Sequence, residues 1–80
     1  MVKDVTRSHI KVELDGKTAT VPGEMFFPSN GKLGFVVFLN GIKCWDSPHQ
    51  NDVITKDEVS SILEDIRSNF AKGGHVLEVE

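Results

Sequence analysis

Cys44 and His49 lie close together in the chain, and a thiol beside an imidazole is the pattern of an activated nucleophile. The surrounding residues argue against that chemistry. Cys44 falls on the inward set of the apolar stretch Ile42-Lys43-Cys44-Trp45, where a cysteine serves as a small hydrophobe. His9, His49 and His75 have no spacing with Cys44 or with carboxylates that would hold zinc. Asp57, Glu58, Glu64 and Asp65 suit a solvated helix surface. No glycine-rich loop joins a strand to a helix, so no phosphate cradle is expected. The chain has no Tyr and no basic-aromatic stripe on which bases could stack. The residues thus predict no catalytic group, no metal site and no cofactor.

The informative cluster is Lys43 to His49. It holds the single Trp of the chain, Trp45, at a strand end beside Asp46 and a proline-containing loop. Tryptophan is enriched at binding hot spots because its large flat side chain excludes water. A structural role is equally open, with Trp45 covering an exposed sheet face against Val36 and Phe38. The two roles are compatible. The candidate partner-binding set is Trp45, Phe38, Val36, Asp46 and His49.

These residues sit in a chain of 80 residues, the length of one small domain, 1–80. So short a chain hides only about 60% of the surface its unfolded form exposes. A full core and an enclosed active site compete for that little interior. Charged residues make 26% and apolar residues 39%, an ordinary globular balance. No apolar run is long enough to span a membrane, and the first residues lack the apolar core of a secretory signal. A lone cysteine allows no intrachain disulfide, which fits a reducing, cytoplasmic setting. The net charge of −3 divides into +1 over residues 1–40 and −4 over residues 41–80. Nucleic-acid binding needs clustered cations to displace phosphate counterions, and none cluster here. The acidic second half suits a basic protein partner.

The elements that must position the cluster can be read from periodicity. His9 to Leu14 alternates polar and apolar, and Asp15-Gly16 supplies a two-residue turn. That turn sets Val12 against Ala19 and Ile10 against Val21 on the inner face, and Lys11 against Thr20 and Glu13 against Thr18 on the outer. Pro22-Gly23 is expected to end or bend the second strand. Glu24 to Phe27 forms a short optional third strand, and Pro28-Ser29-Asn30-Gly31 a turn. Leu33 to Leu39 is apolar on both faces, as in a central strand. Asn40-Gly41 signals a hairpin into Ile42 to Trp45, pairing Leu39 with Ile42 and Val37 with Cys44, and on the opposite face Phe38 with Lys43 and Val36 with Trp45. Thr55 to Glu58 is a capping box that opens a helix. Val59, Ile62, Leu63, Ile66 and Phe70 form its apolar stripe, and Gly73-Gly74 ends it. His75 to Glu80 is a last strand with Leu77 and Val79 inward. The fold class is α+β, an antiparallel sheet of about five strands covered on one face by a single helix in the C-terminal half, in the order β-β-(β)-β-β-α-β. One helix covers one face, which leaves Val36, Phe38 and Trp45 on the other.

The run Ile10-x-Val12-x-Leu14-x-Gly16-Lys17 is followed by Val21-Pro22-Gly23-Glu24, Phe35 to Leu39, Trp45-Asp46-Ser47-Pro48, and Ile54-Thr55 before an acidic helix start. Together these resemble immunity protein 74 of bacterial polymorphic toxin systems, over nearly the whole chain. The Trp-x-x-Pro piece is the most distinctive. The resemblance implies a non-catalytic α+β protein that binds and neutralises a cognate toxin. It implies no particular binding residues. The alternative is a small accessory domain that forms a homodimer or larger homo-oligomer through Val36, Phe38 and Trp45.

Overall fold

Alternation and a tight turn build the first hairpin as the sequence dictates. In the computed structural model, which describes residues 1–28 and 31–80, strand β2 (His9–Leu14) pairs antiparallel with β3 (Lys17–Phe26). Val12 faces Ala19, Ile10 faces Val21, Lys11 faces Thr20 and Glu13 faces Thr18. Asp15 and Gly16 both take positive φ, as a two-residue turn of this hand requires. Ile10, Val12, Ala19 and Val21 are fully buried on the inner face.

A strand precedes this hairpin that periodicity did not reveal. β1 (Val2–Val5) pairs antiparallel with β2, and its register shifts between Val2 and Asp4. Val2 and Val5 would point to opposite faces of a regular strand. The bulge turns both toward the core, where each is half-buried.

Pro22-Gly23 neither ends nor bends the second strand out of the sheet. β3 runs through it unbroken, absorbing the expected third strand, Glu24 to Phe27, up to Phe26. The reason is the direction of the missing donor. Gly23 and Met25 donate to the Ser8 and Arg7 carbonyls, so odd positions of β3 face the β2 side. Pro22 therefore turns its nitrogen toward the opposite edge, where the hairpin ladder needs no N–H. Its carbonyl accepts from the Phe38 amide on that edge at 2.9 Å. The turn expected at Pro28 to Gly31 includes residues 29 and 30, which lie outside the described residues.

β4 (Gly34–Val37) pairs antiparallel with the far half of β3, and β5 (Val76–Val79) pairs parallel with β4. The sheet order is β1-β2-β3-β4-β5. Five mostly antiparallel strands and one helix make the α+β class expected, with β5 as the parallel exception. The Asn40-Gly41 hairpin does not form. Leu39–Gly41 is instead a 3-10 turn, and residues 42–45 pair with no strand. β5 fills the place beside β4 that the returning strand would have taken. Gly41 does not take the positive φ of a two-residue hairpin turn. It is needed for closeness: a side chain there would run into the ring of Pro22.

The helix α1 (Lys56–Gly73) begins as its capping box predicts. The Glu58 amide donates to Thr55 Oγ1 at 3.2 Å, and the Thr55 amide donates to Glu58 Oε1 at 2.9 Å. Asp57 and Glu58 lie at the positive end of the dipole and Lys72 at the negative end. Gly74, in left-handed conformation at φ 70°, closes the last turn. Ile62, Ile66 and Phe70 are buried against the inner sheet face with Phe35 and Val37, and Val59 and Leu63 flank them. Leu77 packs against this core half-buried, whereas Val79 at the end of the edge strand stays exposed.

Truncating the helix stripe therefore opens a cavity in a small core. Ile66→Ala or Phe70→Ala should lower unfolding free energy by about 2–5 kcal/mol in urea titrations. A loss under about 0.5 kcal/mol, the size of a surface substitution, would contradict the placement of this helix as the lid of the core.

Candidate functional site

The segment between the 3-10 turn and the helix carries the cluster that the sequence singled out. It is held along the stretch of β3 that β4 does not reach. The Asp46 amide donates to the Thr18 carbonyl at 2.8 Å, and Thr20 Oγ1 donates to Asp46 Oδ2 at 2.7 Å. The segment then closes on itself. His49 donates its amide to the Asp46 carbonyl, Asp52 to that of His49, and Trp45 to that of Asp52. Ile54 donates to the Lys43 carbonyl, and Cys44 bridges to Val53.

This anchoring decides where Trp45 goes. Thr20 belongs to the outer, helix-free face of β3, so Asp46 reaches toward that side. Its chain neighbour Trp45 turns the opposite way and enters the core, with 2% of its surface exposed. It joins Ile42 and Ile54 in the same cluster as Ile62, Ile66 and Phe70. The expected exposure of Trp45 beside Val36 and Phe38 is thus corrected. That expectation rested on hairpin parity, and the hairpin is absent. Lys17 Nζ stands 5.7 Å from the centre of the Trp45 ring, within cation–π range. The same ammonium pairs with Asp52 Oδ2 at 3.2 Å, and His49 Nδ1 lies 4.0 Å from that oxygen. The indole Nε1 is buried without a hydrogen-bond partner among the described residues.

Cys44 is also corrected: it is exposed, because the strand that would have turned it inward does not form. Val36 and Phe38 do lie on the helix-free face, Val36 half-buried and Phe38 exposed. Asp46 and His49 are half-buried in the anchored segment. The structure therefore brings Val36 and Phe38 together on one face, sets Asp46 at the margin of that face, and separates Trp45 from all three.

Sequence reasoning missed the company these residues keep. The register aligns Phe26, Gly34 and Val76 across three strands, and beside them Glu24, Val36 and Glu78. The Phe26 ring lies over Gly34, where a side chain on the glycine would strike it. The signal was available in the alternation of residues 24–26 and 76–78, but became readable only once the strand partners were known. Elsewhere, Met1, Val2, Asp65, Ser68, Asn69 and Lys72 line an open recess of about 190 Å³ between β1 and the helix. Such a volume is below the usual size of small-molecule sites, about 300–1,000 Å³.

The burial of Trp45 makes it a core residue in energetic terms. Trp45→Ala should cost about 3–5 kcal/mol of stability. Trp45→Phe should cost measurably less, because it keeps an aromatic ring and removes a donor that has no acceptor. Denaturation midpoints of the two variants check this. A Trp45→Ala variant as stable as the parent would place the indole at the surface.

No helix is long and apolar enough to cross a membrane among the described residues. No curated protein and no solved structure shows significant similarity to the chain. A family model described as immunity protein 74 matches residues 3–80, nearly the whole chain, and so takes in the hairpin, the anchored tryptophan segment and the capped helix. Membership of such a family implies a toxin as partner and a non-catalytic role, and the protein belongs to the immunity protein 74 family.

Proposed function

We propose that this protein binds a cognate bacterial toxin and neutralises it by occlusion. The observation that carries the proposal is the family match over residues 3–80. The character of the helix-free sheet face supports it. One helix covers one side of the sheet, and Val36 and Phe38 remain on the other with Phe38 37% exposed. Apolar side chains gathered on an open face are a common mark of a protein–protein contact. We assign the toxin contact to Val36 and Phe38 at its centre, with Asp46 and His49 supplying a polar margin. Trp45 acts in this reading from beneath. It fixes the segment that carries Asp46 and His49, and touches no partner.

Occlusion needs no chemistry of the inhibitor. It needs a rigid surface that competes with substrate for the toxin's own site. A face made of paired strands meets that need, since its side chains are positioned before the partner arrives.

Where a toxin gene adjoins this one, co-expression of the two should rescue growth, and the two products should co-purify. Failure of both would end the proposal for that pair. Phe38→Ala should weaken the complex by about 2 kcal/mol, a hot-spot loss, while sparing the free protein most of its stability. Sedimentation of the free protein is the companion measurement. A dimer dissociated by the same substitution would assign the face to self-association instead.

A further inference from the structure

The helix-free face is not uniformly apolar, and the pattern of its charges is specific. Strand register sets Glu24 of β3 and Glu78 of β5 in one cross-strand row, with Val36 of β4 between them. Adjacent strands lie about 4.8 Å apart, so the two glutamates start about 10 Å from each other across the valine. Along β4 the valine has Gly34 on one side, lying under the Phe26 ring, and exposed Phe38 on the other. Glu80 extends the acidic edge beyond Glu78 in the direction of Phe38, and accepts the Leu39 amide through its backbone carbonyl.

The carboxylates of Glu24, Glu78 and Glu80 are free to serve a partner. All three residues are exposed, and none takes part in an ion pair or side-chain hydrogen bond among the described residues. The acids that find cations are others: Glu13 with Lys3 at the hairpin end of the same face, Asp52 with Lys17, and Asp65 with the N-terminal ammonium. Lys11, across from Thr20, and Lys3, paired with Glu13, lie toward the other end of this face.

Resting on the reading above that this face meets the toxin, we infer that it is built for a cationic protein surface, with an arginine or lysine of the partner seated over Val36 between Glu24 and Glu78. The chemistry of the pocketless site fits such a side chain in both its parts. A long aliphatic stem lies against Val36 and the aromatic rings, while the charged head reaches a carboxylate on either side. An arginine further gains planar, forked hydrogen bonding to carboxylate. A second copy laid with this row over its own counterpart sets acids against acids, and like charges in an interface cost binding. A copy turned to set Lys11 over the row would show as a dimer when the free protein is sedimented, and would overturn the inference.

Two arms test the inference. In the first, a short blocked peptide alternating arginine and leucine is titrated into the isotopically labelled protein at low salt. Amide shifts should cluster at Glu24, Val36 and Glu78. They should fall at least about threefold in the Glu24→Gln/Glu78→Gln double variant and on raising salt to physiological strength, as screened surface charges require. Shifts centred on the helix acids Asp57, Glu64 and Asp65, or unchanged in the double variant, would overturn the assignment. In the second arm, Glu24→Lys with Glu78→Lys should weaken binding of the adjoining toxin at least about tenfold, against less than about twofold for Glu64→Lys on the helix. Equal binding by parent and double variant would overturn the inference while leaving the immunity role standing. A parent that fails to bind that toxin would instead defeat the proposed function for the pair, and the peptide titration would still decide the face.

Discussion

β3 must satisfy two different neighbours along its 10 residues, and most of the architecture follows from that demand. Its first half pairs with β2 on one side, leaving the opposite edge open from Lys17 to Pro22. Its second half gives that same edge to β4. Backbone groups on an open edge in the middle of a sheet need partners. The Phe38 amide takes the Pro22 carbonyl, and the Asp46 amide takes that of Thr18. The chain from Phe38 to Asp46 is thereby drawn along β3, and this path positions everything that lies on it. Proline and glycine at the change of partner are matched to the task. Pro22 sits where its absent N–H is not required by β2, and Gly23 leaves space for the Phe35 ring and the Val36 carbonyl.

The same constraint explains the helix. Once β3 takes one edge of β4, the other edge is available to a parallel strand, which requires a crossover long enough for a helix. α1 supplies it, and its apolar stripe closes the core over β1, β2 and β5. The anchored segment delivers Ile42, Trp45 and Ile54 to the same core. The Trp45-Asp46 pair works as a latch in which the two side chains leave the chain in opposite directions. Asp46 fastens to Thr18 and Thr20, and Trp45 fills the interior. The motif that stands out most in the sequence therefore has a structural duty first.

Local signals were legible where a single rule decided the outcome. Asp15-Gly16 fixes a register, Thr55 to Glu58 a helix start, and Gly73-Gly74 its end. Rules failed where neighbours decided. Val2 to Val5 lacks strict alternation because a bulge corrects its facing, so β1 was invisible to a period-two reading. Asn40-Gly41 has the composition of a hairpin turn, yet its glycine serves a close contact with Pro22 that only the folded sheet reveals. A hairpin at that turn would fix the parity of Trp45 and Cys44, and in its absence the structure reverses both. Val36 and Phe38 were placed on the correct face because their positions depend only on β4's own alternation. The alignment of Glu24 with Glu78 is not legible in the sequence, because it depends on register between strands distant in sequence.

A sheet with one helix has a face that nothing in its own chain covers, and solubility sets limits on what that face can carry. The hairpin end resolves the problem with threonines and Lys11 opposite one another. The β4–β5 end keeps Val36 and Phe38 and interleaves acids with them. Glu78 and Glu80 lie on or beside the edge strand, where charge discourages edge-to-edge pairing. Glu24 lies on β3 beyond its last pairing with β2 at Pro22, and its side chain shares the helix-free face with Val36 rather than pointing along an edge. Its position makes sense as one side of a charged frame around an apolar centre, an arrangement that suits a surface of opposite sign. Held on paired strands rather than on loops, that frame is fixed by the backbone ladder, so a partner meets it with little ordering left to do.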